Sequence, residues 1–350
     1  PGHESNFEST AQIMCDIGYY QPNTGVENCI ATSPGNYVPN TGAIIQRECN
    51  PGTYQPNYGS PSCIDASTGH FVQNNSSVSQ DGCSPGTYQS DTGQTSCIDA
   101  SPGNFVTNYY SSTQTACGLG TYHNITGSVQ ESDCQSSDPG HYVDSTGSSS
   151  QIECLPGSYN PNSGSITSSD CIVADIGHIV ENPASSEQSP CEAGYYQPDT
   201  GQIFCLEAVS GSYVSDIGAN AEENCSPGNY QPEMGQSECL EADAGHYVSA
   251  PRASSQTPCA AGSYQSETGA ISCIYSDVGF HVPTEGQSMQ ASCLPGQYQP
   301  QPASSECFTT NPGTYTDKNG STSPSPCLAG SYQAESGQSG CTLADPGYFS

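Results

Sequence analysis

The chain has 350 residues, of which only 45 are Leu, Ile, Val or Phe and none is Trp. A chain this poor in large apolar side chains cannot build the core of an ordinary globular domain. Thirty-five acidic residues against three Lys and Arg give a formal charge of −32, which disfavours nucleic acids and anionic membrane surfaces as partners. No segment approaches the roughly 20 apolar residues of a membrane span.

The cysteines recur at a fixed spacing. Their separations alternate between 14 and 20 residues, except that two of the short separations are 17. The chain therefore contains ten tandem repeats of about 34 residues across residues 1–350. Both ends fall inside a repeat, so we interpret the chain as a window of a longer protein. An internal period of this length is typical of a stacked repeat architecture.

Each repeat consists of two related halves of 17 residues, one bearing cysteines and one free of them. In the cysteine-free half the first cysteine is usually replaced by Ala and the second almost always by Gln. The two are lost together, which indicates that they are bonded partners. This predicts the bridges Cys15–Cys29, Cys49–Cys63, Cys83–Cys97, Cys117–Cys134, Cys154–Cys171, Cys191–Cys205, Cys225–Cys239, Cys259–Cys273, Cys293–Cys307 and Cys327–Cys341.

A rival pairing would instead join Cys29 to Cys49 and Cys63 to Cys83, and so on along the chain. In the short-loop pairing, each closed loop of about 15 residues contributes roughly 3 kcal/mol by the chain-entropy argument. That stabilisation is what a module with a minimal core requires. No Cys-x-x-Cys motif and no His at zinc-ligand spacing points to a metal site.

Turn signals predict one small hairpin in each half. Pro-Gly follows the first cysteine, an aromatic residue begins a short strand, and Asn/Asp-Thr-Gly forms the next turn, as in residues 83–97. In the cysteine-free half an aromatic–Val pair such as Phe71–Val72 is expected to replace the missing bridge by apolar contact. We predict a small disulfide-rich fold, mostly coil with short β-hairpins and little or no α-helix. Stacked units, with Tyr rings and disulfides in a thin spine, would form an elongated solenoid-like rod.

The pattern resembles the ephrin-receptor-like cysteine-rich repeats, which look similar to tumour-necrosis-factor-receptor-type modules. The matching residues are Cys83-Ser-Pro-Gly-Thr-Tyr88, followed by Gly93 and Cys97, and Cys293-Leu-Pro-Gly-Gln-Tyr298. The chain departs from that family where Cys-x-x-Cys is replaced by Cys-Ile-Asp-Ala or Cys-Leu-Glu-Ala. The resemblance implies an elongated extracellular module and no particular ligand.

No nucleophile, metalloprotease or phosphate-loop motif is present, so we expect no enzyme. A column of histidines, His70, His141, His178 and His246, is either a metal or pH-sensing ladder or a set of exposed turn residues. We expect no cofactor. Calcium is the alternative, bound by carboxylates between the halves, namely Asp175, Glu207, Glu241, Asp243, Asp277 and Asp345.

Glycosylation sequons occur at Asn74, Asn75, Asn124 and Asn319, and a fifth at Asn224 precedes Cys225. Together with the cysteines, they predict an extracellular or cell-surface glycoprotein.

The favoured function is a structural rod, stalk or filament spine that contacts copies of itself or neighbouring repeats in a fibre. The alternative is a receptor or adhesin ectodomain that binds a protein or glycan. An exposed apolar or aromatic patch confined to a few repeats would favour that alternative.

Overall fold

The computed structural model describes residues 1–5 and 12–347. In that part of the chain, every sheet is a two-stranded antiparallel hairpin that joins consecutive strands, and there is no α-helix. The predicted fold class, a disulfide-rich tandem repeat of coil and short hairpins, is confirmed.

The first ten hairpins are β1 His3–Ser5 with β2 Gln12–Met14, β3 Tyr19–Tyr20 with β4 Ile30–Ala31, β5 Asn36–Tyr37 with β6 Arg47–Glu48, β7 Thr53–Tyr54 with β8 Ile64–Asp65, β9 His70–Phe71 with β10 Asp81–Gly82, β11 Thr87–Tyr88 with β12 Ile98–Asp99, β13 Asn104–Phe105 with β14 Thr115–Ala116, β15 Thr121–Tyr122 with β16 Gln135–Ser136, β17 His141–Tyr142 with β18 Ile152–Glu153, and β19 Ser158–Tyr159 with β20 Ile172–Val173. The remaining hairpins are β21 His178–Ile179 with β22 Ser189–Pro190, β23 Tyr195–Tyr196 with β24 Leu206–Glu207, β25 Ser212–Tyr213 with β26 Glu223–Asn224, β27 Asn229–Tyr230 with β28 Leu240–Glu241, β29 His246–Tyr247 with β30 Thr257–Pro258, β31 Ser263–Tyr264 with β32 Ile274–Tyr275, β33 Phe280–His281 with β34 Ala291–Ser292, β35 Gln297–Tyr298 with β36 Phe308–Thr309, β37 Thr314–Tyr315 with β38 Ser325–Pro326, and β39 Ser331–Tyr332 with β40 Thr342–Leu343.

Both kinds of half follow the same path. In the cysteine-bearing half 83–99, Tyr88 pairs with Ile98 across the hairpin. In the cysteine-free half 100–116, Phe105 pairs with Thr115 in the same way. The hairpin geometry therefore does not depend on the disulfide.

Main-chain hydrogen bonds join each half to the next. Between halves 83–99 and 100–116, the N–H groups of Gly86 and Gln89 donate to the carbonyls of Val106 and Ser111 at 2.8 and 3.0 Å. In the opposite direction, the N–H group of Ala100 donates to Gly86 and that of Tyr110 to Cys83, at 2.8 and 2.9 Å. These bonds satisfy backbone groups that a two-residue strand leaves unpaired.

Within each of the two compact units of the chain, a closer contact joins most halves to the half two steps ahead. Gly52 has a φ of 90° and lies against the carbonyl of Gly93, so that a Cβ built on Gly52 would overlap the carbonyl oxygen. The equivalent glycine in the other halves, which we call the junction glycine, makes the same approach at Gly18, Gly35, Gly69, Gly86 and Gly103, for example. Cysteine-bearing halves therefore pack on cysteine-bearing halves, and cysteine-free halves on cysteine-free ones.

Contacts divide the chain into two compact units. One comprises Pro1–Ile172 with Pro183–Glu187, and the other comprises Val173–Asn182 with Gln188–Ser350. The same pattern of hydrogen bonds and junction glycines recurs inside each unit.

The buried apolar residues are mostly small. The core consists of the first cysteine of most bridges, the alanine that replaces it, and a valine after each aromatic residue of most cysteine-free halves, such as Cys49, Ala66 and Val72. The aromatic rings are mostly half-buried instead, and the ring–ring contacts within the described residues are His70–Tyr110, Tyr109–Tyr110 and Tyr298–Phe308. The expected spine of Tyr rings is therefore not the core.

Each of the two longer cysteine loops contains a single turn of 3₁₀-helix. These turns are Glu131–Asp133 and Ser168–Asp170, and each lies directly before the second cysteine. The carboxylates of Asp133 and Asp170 accept the N–H groups that begin each turn. The extra residues are thus absorbed locally, and the following half continues the same pattern.

Two glycine substitutions test the two-step contact. Gly52→Ala is expected to lower the free energy of unfolding by at least about 3 kcal/mol, because left-handed strain of 1–3 kcal/mol adds to overlap with a backbone carbonyl. Gly127 also has a positive φ, of 76°, but a Cβ there meets no atom within 4 Å. Gly127→Ala is therefore the control, expected to cost only the left-handed strain of about 1–3 kcal/mol. Equal losses in denaturant unfolding would refute the contact as a stability determinant.

Candidate functional site

All twenty cysteines are bridged. The ten disulfides are those of the short-loop pairing, each with Cα atoms 5.7–5.8 Å apart, and the rival pairing does not occur. Disulfides on this scale persist in oxidising compartments. They point to a secreted or extracellular repeat protein.

A buried glutamine closes the inner loop of most cysteine-bearing halves. The Nε2 group of Gln299 donates to the carbonyl of Glu306 at 2.7 Å, and its Oε1 accepts the N–H group of Gln301 at 3.1 Å. This inner glutamine makes the same two bonds at Gln21, Gln55, Gln89, Gln197, Gln231 and Gln265. The two halves with longer loops have His123 and Asn160 there instead. The sequence signal was the recurring Tyr-Gln pair, whose burial we did not predict.

A second glutamine replaces the disulfide in the cysteine-free half. Oε1 of Gln188 accepts the N–H group of Asp175, and its Nε2 donates to the Asp175 carboxylate, both at 2.8 Å. This closing glutamine accepts the equivalent N–H group in every case, at Gln46, Gln80, Gln114, Gln151, Gln256 and Gln290. The expected valine is buried as well, so the missing bridge is replaced by a hydrogen-bonded clasp in addition to apolar contact.

The carboxylates considered for calcium are dispersed. Asp175, Asp243 and Asp277 accept hydrogen bonds from closing glutamines. Glu241 accepts the hydroxyl of Thr268, and Glu207 and Asp345 are exposed. The structure therefore does not bring these six together.

Within the described residues, one group of three potential metal ligands lies close together, namely His281, Cys293 and Cys307. Their ligand atoms are within 4.8 Å of one another. Both sulfur atoms belong to a single disulfide, however. Because a cysteine binds a metal ion as its thiolate, the oxidised pair Cys293–Cys307 does not form a metal centre.

The histidine column occupies the first strand residue of its hairpins, so these residues are not in turns. In His70, His141 and His178, Nδ1 lies 3.1 Å from a carbonyl two residues earlier. Because a carbonyl only accepts, each contact is a hydrogen bond in the tautomer whose Nδ1 carries the proton. These bonds fix the orientation of each ring.

One of these histidines belongs to an aromatic cluster. The ring of Tyr110 stacks on His70, with centroids 5.1 Å apart and planes inclined by 14°. The ring of Tyr109 lies 6.1 Å from that of Tyr110. Sequence reasoning missed the cluster, although the pair Tyr109–Tyr110 stands where most halves have Thr-Gly or a similar pair ending in Gly.

The predicted glycosylation sites lie in the loops between paired strands. The side chains of Asn74, Asn75, Asn124 and Asn319 are all exposed. Asn224 instead lies in β26 and accepts a hydrogen bond from Ser212 at 3.2 Å.

Cysteine-bearing halves expose an apolar column directly after the second cysteine. Its members are 36–49% exposed and comprise Ile30, Ile64, Ile98, Ile172, Leu206, Leu240, Ile274 and Phe308. The equivalent residues of the cysteine-free halves are mostly polar, and include Arg47, Asp81, Thr115, Glu223 and Thr257. The molecule therefore presents different surfaces on its two kinds of half.

Neither a protein-family model nor a curated protein matches the chain. The described part contains no helix with the length and hydropathy needed to cross a membrane.

Substitution of an inner glutamine tests its role. Gln299 is only 2% exposed, so Gln299→Leu removes the side-chain partners of the Gln301 N–H group and the Glu306 carbonyl, at a cost of about 1 kcal/mol. Faster hydrogen exchange at the amide of Gln301 is the expected readout. Gln236→Leu is the control, since Gln236 is exposed and its side chain bonds only the carbonyl of Met234. Unchanged exchange at Gln301 would show that the bond is dispensable.

The first 3₁₀ turn is expected to be sensitive to acid. The N–H group of Val129 above all, aided by Gln130, lowers the pKa of Asp133 below its usual 3.8. Because the folded pKa is the lower one, the stabilisation is present above about pH 4 and is lost as the pH falls through the folded value. NMR titration should show the Val129 amide shifting with the Asp133 carboxyl. In Asp133→Asn that titration should vanish; its persistence would contradict the assignment.

Proposed function

We propose that this extracellular repeat protein is a structural element, forming the spine of a rod, stalk or filament, and that it is not an enzyme. The observation that carries the proposal is the uniform joint between halves. The same main-chain hydrogen bonds and the same junction-glycine contact recur along each unit. A joint made of backbone can be repeated with little dependence on side-chain identity.

The bonds that close the loop of each half, a disulfide in one kind of half and a glutamine hydrogen bond in the other, support a mechanical role. Disulfides close the cysteine-bearing halves and closing glutamines close most of the cysteine-free halves, so most loops are restrained by bonds of their own. Local opening of one half need not unfold the next, because each is closed by its own bonds.

The proposal includes covalent glycans and self-association. The exposure of Asn74, Asn75, Asn124 and Asn319 supports N-linked sugars at the loop tips. The apolar column supports lateral contact between copies of the chain. The chain has few large apolar residues, yet eight of them are exposed at the equivalent position of eight halves.

The kinship to ephrin-receptor-like modules also stands as a proposal. It is supported by the Cys-x-Pro-Gly-x-Tyr motif and by the hairpin that follows each first cysteine.

Electron microscopy of the native, unreduced protein tests the structural role. We expect fibres or thin rods with an axial period equal to one repeat or a small multiple, and extra density at Asn124 or Asn319. Compact particles without such a period would contradict the proposal. Rods of finite length with a globular end would instead establish a stalk.

The same electron microscopy experiment tests lateral contact through the apolar column, by comparing two double variants. Ile64→Ser with Ile98→Ser should disperse bundles into single fibres. Thr115→Ser with Thr257→Ser, at the equivalent position of cysteine-free halves, should leave bundles unchanged. If both variants bundle alike, the apolar column is not the lateral contact.

The alternative, a ligand-binding ectodomain, is favoured by one observation. The aromatic cluster at Tyr109 and Tyr110 is an exposed patch confined to a few repeats.

A further inference from the structure

The rings of His70, Tyr109 and Tyr110 form an exposed surface that we call the aromatic platform. Tyr109 and Tyr110 are 63% and 61% exposed. The bond from Nδ1 of His70 to the Thr68 carbonyl holds the imidazole in place beneath Tyr110.

The backbone at Tyr110 is strained. Its φ is 61°, in the left-handed region where most other halves have glycine, such as Gly93 and Gly127. A non-glycine residue there costs on the order of 1–3 kcal/mol. The contact with the junction glycine does not require this tyrosine, since Gly93 makes the same contact with Gly52.

A second unfavourable residue makes room for the ring. A Cβ built on Gly82 would overlap the ring of Tyr110. Gly82 lies in β10, where glycine weakens a strand, whereas Asp65 and Asp99 occupy the equivalent position in neighbouring halves. Tyr110 and Gly82 thus both depart from the residue that is usual at their position in the repeat. Each departure lowers the stability of the fold, and the two residues lie against each other. Local costs that gather in this way are the mark of a functional site.

The surroundings select the ligand. Half 100–116 contains no Asp, Glu, Lys or Arg, and half 66–82 contains only Asp81. Apart from Asp81, these two halves therefore offer no carboxylate to pair with a bound cation, and they offer no Lys or Arg to pair with an anion. The polar neighbours are neutral and exposed, namely Thr107 and Asn108.

We propose that the aromatic platform binds a neutral sugar ring from a glycan on another molecule. The C–H bonds of one pyranose face carry partial positive charge and lie well on the negative face of a tyrosine ring. The sugar hydroxyls on its edge meet the phenol hydroxyls and the carboxamide of Asn108. This goes beyond a structural role, because a spacer requires no ligand.

Saturation-transfer NMR with the intact, unreduced chain tests the proposal. The probes are soluble neutral oligosaccharides of glucose, mannose, galactose and N-acetylglucosamine, with heparin as the anionic comparison. We expect transfer to the ring protons of at least one neutral sugar and none to heparin. Tyr109→Ala and Tyr110→Gly should each weaken that binding at least tenfold.

The variants separate binding from folding. Tyr110→Gly restores the residue that most halves have, so it relieves strain and should raise stability while binding is lost. Tyr58 is a 72% exposed tyrosine outside the platform, and Tyr58→Ala should leave binding unchanged.

Three outcomes overturn the proposal. One is no transfer to any neutral sugar, and another is binding that the Tyr109 and Tyr110 variants do not weaken. The third is binding that appears only after enzymatic removal of the chain's own N-glycans, which would assign the platform to an internal sugar. Platform-dependent binding of oligolysine, with none of neutral sugars, would assign it to a cation and is a case of the first outcome.

Discussion

The contact between main chains two halves apart constrains the rest of the structure. At most junction glycines within each unit, the backbone of one half lies against a carbonyl of the half two steps ahead, with no space for a side chain. This spacing brings the hydrogen-bonding groups of successive halves into reach. The interior that it leaves is filled mainly by the side chains of Cys, Ala, Val and Gln.

A core this thin cannot by itself offset the entropy of ordering long loops, and the chain closes its loops individually. Disulfides act largely on the unfolded state, whereas inner and closing glutamines act by satisfying backbone groups of the folded state. The cysteine-free halves show that hydrogen bonds and one buried valine suffice where a bridged neighbour lies on either side. The bridge, inner glutamine and closing glutamine are therefore parts of one solution to the same problem.

Because the interior is uniform, differences between repeats appear on the surface. The apolar column belongs to eight of the cysteine-bearing halves, whereas most cysteine-free halves have a polar residue at that position, and the exposed asparagines of the sequons lie at loop tips. The residue whose carbonyl contacts the junction glycine is itself a glycine in most halves. Among the described residues, the exceptions are the non-glycine residues with a positive φ, namely Ser76, Tyr110, Ala184, Arg252 and Ala303. Arg252 pairs with Glu222, which stands in place of a closing glutamine. Tyr110 instead builds an exposed surface, and this contrast is why we assign it a ligand.

The sequence by itself determined the period and the two kinds of half, and it favoured the hairpins and the short-loop bridges. Turn residues act over a few positions, and the joint loss of two cysteines indicates bonded partners. Only the tertiary structure excluded the rival pairing and decided how successive halves contact one another. The burial of Gln299, the half-buried place of the tyrosines and the meeting of His70, Gly82 and Tyr110 depend on contacts between residues as far as 40 positions apart. Such contacts follow from how the backbone of one half lies on another. No local pattern in the sequence specifies which residues of two distant halves will meet.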